Sequence, residues 1–155
     1  MLSVETETKP HITVFIVSNR SLNCLIQAIN SVVNQVFTGV IKIIVVRDVT
    51  SKHVNKDDYT EKITIEKNIN SPANISFYYP ETMFNKHDDY IVEKVSFLRN
   101  FCLSVCDTPL LCFLDDDNYW DKNHLYRLYK TLTKHKCQAA YSWRYAINQC
   151  GETIS

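Results

Sequence analysis

Three short apolar runs constrain the fold most: HITVFIVS at 11–18, VIKIIVV at 40–46 and LLCFLD at 110–115. Each is too short for an ordinary helix and apolar without alternation, which is how a strand buried on both faces reads. Between the runs the apolar residues change to a period of about 3.6. Leu22, Leu25, Ile26, Ile29, Val33 and Val36 follow one helical face, with Ser21 as its cap and Gly39 as its end. Ile91, Val95, Leu98, Cys102 and Val105 follow another, ended before Pro109. NISFYY at 74–79 adds a strand. Leu125, Leu128, Tyr129 and Leu132 add a helix capped by Asp121, and CQAAYSWRYAIN at 137–148 is the last expected strand. The polar stretch from 50 to 74 is a surface excursion with one short helix or edge strand around KITIEK. Strand alternating with helix at this spacing demands crossover connections. The expected architecture is α/β: three α/β/α layers around a mostly parallel, Rossmann-like sheet.

A chain of 155 residues suffices for one core. Residues 1–10 read as a flexible tail and 11–155 as a single domain. Formal net charge is zero, so there is no broad basic field to gather nucleic acid or an anionic membrane. No apolar run approaches the roughly 20 residues of a membrane span, and the polar start is unlike a signal peptide, so a cytoplasmic protein is expected. Six cysteines include no C-x-x-C pair. They are expected as free thiols, most of them in the core.

In parallel sheets ligands bind beyond the carboxyl ends of the strands. Three strands end there in polar residues: Ser18-Asn19-Arg20, Arg47-Asp48 and Asp115-Asp116-Asp117. Three adjacent carboxylates repel one another, so positive charge or open water must meet them. Taken singly, each feature has a plain reading: a solvated turn before a helix, a local Arg47–Asp48 ion pair, and Arg99 as a surface charge. Their convergence favours a site. Clustered carboxylates suit Mg²⁺ or Mn²⁺, and the forks of Arg20 and Arg99 match phosphate oxygens. Asp48 is suited to accept from ribose hydroxyls or a base N–H. A nucleoside diphosphate bridged by a metal satisfies all of these groups.

The chain also resembles the family 2 glycosyltransferases, which carry an A-type nucleotide-sugar-binding fold. ITVFIVSNRS is similar to the family's opening strand and "YNR" turn, without the tyrosine. INSVVNQVF is similar to its "SVLNQ" helix end. IIVVRDVTS is similar to "IIVVDDGS", with Arg47 in place of the first aspartate. EKVSFLRNFCLSVC resembles the "ARN" helix without its glycines, and CFLDDDNYW resembles the acidic D-x-D motif, followed by DKNHL near "PDHL".

The resemblance implies a nucleotide-sugar donor, with a uridine or guanosine diphosphate moiety, and an inverting hexosyl transfer to an unidentified acceptor. It implies that Val17, Ser18, Asn19, Arg20 and Asp48 meet the nucleotide, with Arg99, Asp115 and Asp116 assisting. Asp117, supported by Asp115, would hold Mn²⁺ or Mg²⁺. The family's acceptor-binding half, which carries the general base, is expected to be missing, and neither Glu152 nor the His87-Asp88-Asp89 loop is an evident replacement. Such a chain is expected to bind donor but to transfer slowly, and to self-associate or join a partner chain. The alternatives are a non-catalytic nucleotide-sugar-binding or interaction module, and a nucleotidyltransferase.

Overall fold

The structure, a computed structural model, describes residues 9–51, 54, 58–69, 74–80, 91–147 and 153–154. In chain order they form β1 (His11–Ser18), α1 (Leu22–Val33), β2 (Val40–Arg47), α2 (Asp58–Asn68), β3 (Asn74–Tyr78), α3 (Ile91–Ser104), β4 (Leu110–Asp115) and α4 (His124–His135). The strands make one sheet in the order β3-β2-β1-β4. Every pairing is parallel. The chain steps outward from β1 to β3 and then returns to lay β4 on the other side of β1. Such a reversal is where parallel sheets form a ligand crevice, here at the carboxyl ends of β1 and β4.

Side-chain alternation along β1 builds both halves of the core. Ile12, Val14 and Ile16 join Ile43, Val45 and Leu114 under Leu25, Ala28, Ile29 and Val32 of α1, with Ile65 of α2 and Leu125 of α4 in the same cluster. On the other face Phe15, Ile44 and Val46 meet Leu98 and Cys102 of α3. The three layers are therefore three helices, the sheet, and one helix. Each fully buried Ile or Leu contributes about 1.5–3 kcal/mol of apolar transfer. Burial in these layers pushes the Cys102 thiol up to about 12 and the Cys112 thiol up to about 11.

Several boundaries differ from the sequence expectation. The first helix ends at Val33, with Asn34 as its C-cap. Gly39 instead opens β2: a Cβ there would lie 2.5 Å from a Phe37 ring carbon and 2.9 Å from Pro10 Cγ. The Pro10 carbonyl accepts from the Val40 amide at 2.8 Å, so the end of the expected tail belongs to the sheet. Residues 1–8 lie outside the described residues. KITIEK is part of α2, a helix, and α4 starts behind Asn123, not Asp121.

The expected strand at 137–148 does not form. Among the described residues, only Ile147 makes a bridge, to Thr153. A strand needs a neighbour, and Tyr141 and Trp143 stand 92 % exposed with none. Among the described residues no helix is long and apolar enough to cross a membrane.

Candidate functional site

The acidic triplet emerges from β4 beside the end of β1, where Val17 pairs in register with Asp115. A turn closes at once, with the Asn118 amide donating to the Asp115 carbonyl at 3.1 Å. The three carboxylates then take three different fates. Asp116 turns inward and is buried. Its Oδ2 accepts from the Ser18 hydroxyl at 2.7 Å, the Asn19 amide at 3.0 Å and the Arg20 amide at 2.9 Å. These donors sit just before α1, so one carboxylate fastens the β1–α1 turn to β4 and lies at the favourable end of a helix. Asp115 and Asp117 turn outward. Asp115 Oδ1 meets Arg99 Nη2 at 3.2 Å, and Asp117 Oδ2 meets Arg20 Nη2 at 3.1 Å.

Arginines thus answer the charge of the triplet. Arg47 provides the third connection: fully buried, it donates through Nη1 to the Ser18 hydroxyl and, at 3.1 Å, to the Arg20 carbonyl. The Ser18 hydroxyl in turn donates its own hydrogen bond to Asp116, which makes a chain from guanidinium to hydroxyl to carboxylate. The plain ion pair expected between Arg47 and Asp48 is not among the described contacts. Arg47 is used toward β1 and the triplet instead. The two outer pairs are about half exposed, and such pairs contribute about 0.2–1 kcal/mol each. They orient side chains more than they stabilise the fold. Arg99 has a second hold, its guanidinium lying 5.7 Å from the centre of the Phe113 ring.

On the other side of β1, Asp48 follows β2 and its amide donates to the Ser18 carbonyl at 2.9 Å. Its Oδ1 accepts from the Thr50 amide at 2.9 Å and the Thr50 hydroxyl at 2.6 Å, an Asx turn closing the strand. Lys94 Nζ of α3 donates to that hydroxyl at 3.1 Å, and the Ser51 hydroxyl donates to the Asn19 carbonyl at 2.6 Å.

The sequence-predicted residues Val17, Ser18, Asn19, Arg20, Asp48, Arg99, Asp115, Asp116 and Asp117 therefore gather around the end of β1. His87, Asp88, Asp89 and Glu152 lie outside the described residues. Among the described residues no three His, Cys, Asp or Glu side chains come together as a metal cluster.

Two parts of the site escaped the sequence reading. Thr50 is one, though the spacing Asp48-Val49-Thr50 is an Asx-turn signal. Gln35 is the other. Its Oε1 accepts from the Leu125 amide at 2.9 Å, and its Nε2 donates to the Ser31 and Asp121 carbonyls at 3.0 and 2.7 Å. It ties the end of α1 to the start of α4, where Asn123 makes no side-chain cap. No local pattern in the sequence announces that bond.

Residues 98–155 match the model of glycosyl transferase family 2, a stretch that includes Arg99 and the triplet. No curated protein matches the chain. Solved structures do. S. aureus TarS 1–349 in complex with UDP is 19 % identical with a TM-score of 0.57, over 81 % of this chain and 33 % of that one. The same fragment in complex with UDP-GlcNAc is 20 % identical with a TM-score of 0.57, over 81 % and 32 %. S. aureus TarS is 18 % identical with a TM-score of 0.55, over 81 % and 20 %. The chain spans about a third of the length of the TarS 1–349 chains it matches. Over four-fifths of its length this chain shares the fold of S. aureus TarS 1–349, and over residues 98–155 its sequence is similar to glycosyl transferase family 2.

Proposed function

We propose that this chain is the donor-binding part of a glycosyltransferase and takes a nucleoside diphosphate sugar at the carboxyl ends of β1, β2 and β4. The observation that carries the reading is the fastening of the β1 and β4 ends by Asp116 under a crevice edged by Asp48, Arg20 and Asp117. The likeness to a TarS fragment in complex with UDP and with UDP-GlcNAc supports it.

In this reading Val17 to Arg20 line the nucleoside side, and Asp48 accepts from the base or ribose. Asp116 acts by holding the Ser18–Arg20 backbone in shape, and Arg99 sits beside the ribose and phosphates with Asp115. Asp115 and Asp117 fit a hard divalent cation such as Mg²⁺ or Mn²⁺. Both are outward carboxylates, 52 % and 45 % exposed, and such ions take one or two protein carboxylates together with phosphate oxygens. A bound ion would neutralise charge on the departing diphosphate. Sugar transfer to an acceptor, with inversion, belongs to the proposal and needs a base to deprotonate the acceptor hydroxyl. The cytoplasm is part of the proposal too, since the five described cysteines are free thiols, which fits a reducing compartment.

Calorimetry with UDP and GDP, each with and without Mn²⁺, tests the reading. One diphosphate should bind more tightly with the metal, and Asp117→Ala should remove the gain. Failure of both nucleotides to bind would overturn the proposal. A turnover assay with nucleotide sugars then separates an enzyme from a binding module.

A further inference from the structure

We propose that Arg20 and Asp117 form an exchangeable pair across the mouth of the crevice, which opens when donor arrives and passes each partner to a new one. Arg20 would move its guanidinium to the diphosphate, and Asp117 would give the freed carboxylate to a divalent cation. The proposal rests on the donor-binding reading above; the resemblance implies a nucleotide contact for Arg20 and a metal for Asp117, and the exchange between them is the addition.

The geometry of Arg20 argues for it. Its backbone is pinned on both sides: the amide donates to Asp116 Oδ2 at 2.9 Å, and the carbonyl accepts from buried Arg47 at 3.1 Å. Its side chain is 57 % exposed, with the 3.1 Å contact to Asp117 as its described hold. Arg99, in contrast, is held by Asp115 and by the Phe113 ring together. A fixed base with a lightly held head suits a group that changes partners without moving the chain.

The chemistry argues for it as well. A guanidinium matches a diphosphate in two parallel hydrogen bonds better than it matches a half-solvated carboxylate. A hard cation, in turn, prefers a carboxylate that no cation already occupies. The pair joins the ends of β1 and β4 over 97 residues of sequence, at the edge where the two strands finish. Without nucleotide, Arg20 and the metal compete for one carboxylate. With nucleotide the competition disappears, because Arg20 has gone to the phosphates. Nucleotide and metal therefore promote each other's binding, each by the same factor.

Arg20→Gln separates the two halves of the exchange. Mn²⁺ alone, followed by its electron paramagnetic resonance signal, should bind the variant about two- to fivefold more tightly, the range set by an exposed ion pair. UDP without metal should bind it about tenfold more weakly, from the loss of charge-assisted hydrogen bonds. Uridine, which has no phosphates, should bind both proteins alike. Arg20→Lys should keep the competition with Mn²⁺ but lose much of the metal-free UDP affinity. An unchanged or weakened Mn²⁺ affinity in Arg20→Gln, including no detectable Mn²⁺ binding to either protein, overturns the exchange. So does an unchanged metal-free UDP affinity. If the wild type binds neither UDP nor GDP even with Mn²⁺, the donor-binding reading fails and the exchange with it; if it binds GDP alone, the same comparison is read with GDP and guanosine. If it binds UDP normally and Arg20→Gln alters neither quantity, the exchange alone fails.

Discussion

Ser18 and Asp116, 98 residues apart in sequence, share a 2.7 Å hydrogen bond that is buried beneath the crevice. The bond makes Asp116 a part of the scaffold, unlike its two neighbours. Asp116→Ala strips the acceptor from the Ser18 hydroxyl and from the Asn19 and Arg20 amides. Unfolding in urea should show a loss of about 2–4 kcal/mol. Asp116→Asn keeps one carbonyl acceptor and should lose less. Asp117→Ala, by comparison, should leave stability within about 0.5 kcal/mol of wild type, since its pair is exposed. Equal losses for the two alanine variants would contradict this division.

Gln35 predicts a cap effect from a distance. Removing its amide in Gln35→Ala leaves the Leu125 amide without its acceptor and should reduce stability by about 1–2 kcal/mol, as a lost helix cap does. Gln35→Glu should not restore it, because a carboxylate oxygen would face the Ser31 and Asp121 carbonyls that Nε2 now serves. Thermal melts of the three proteins decide the point.

At Gly39 the neighbours leave no space for a methyl group. Gly39→Ala forces Phe37 and Pro10 apart at the start of β2 and should lower stability by about 1–3 kcal/mol. Pro10→Ala in the same background should recover little of it, because the nearest clash is with the Pro10 backbone carbonyl oxygen, which alanine keeps.

His124 stacks on Trp120 with ring centres 4.6 Å apart. Burial holds its imidazole below the usual histidine value. Asp121 opposes that shift, and Arg127 adds to it. A lowered folded value means that the unfolded chain binds the proton more readily. The stabilising contribution is therefore complete above about pH 6.5 and is lost as pH falls through the folded value. Urea midpoints from pH 8 to pH 5 should decline over that lower range, and His124→Gln should flatten this part of the profile.

How much of this was legible in the sequence depends on the range of the signal. β1 and β2 were readable because a strand buried on both faces is apolar at nearly every position, whatever its neighbours. β4 carries the same apolar run, but it lies at the sheet edge with Leu111 and Phe113 exposed, contrary to the expected burial on both faces. Residues 137–148 carry an aromatic cue in Tyr141, Trp143 and Tyr145, yet a strand exists only if another chain segment pairs with it, and composition does not report that. The start of α4 lies at Asn123, not Asp121: Asp121 takes the Asn123 and His124 amides ahead of the helix, and the Leu125 amide is served by Gln35, which is 90 residues away. Within the triplet, the sequence identified three carboxylates at a strand end. It gave no means to tell which one turns inward, because that depends on β4 lying beside β1. The arginine partners follow from the same adjacency, so Arg47 registered only as a departure from a familiar pattern.

The position of β4 has a consequence for assembly. β1, α1 and β2 are contiguous in sequence and can pair early, but β1 meets β4 only after some 90 further residues have been made and ordered, and contacts of such long separation form slowly. Until then the amides of Asn19 and Arg20 have no Asp116 to receive them, and the crevice has one wall. Completion of the sheet and creation of the binding surface are thus a single kinetic event. During refolding, the appearance of nucleotide affinity should track the docking of the last strand rather than the earlier gain of helix.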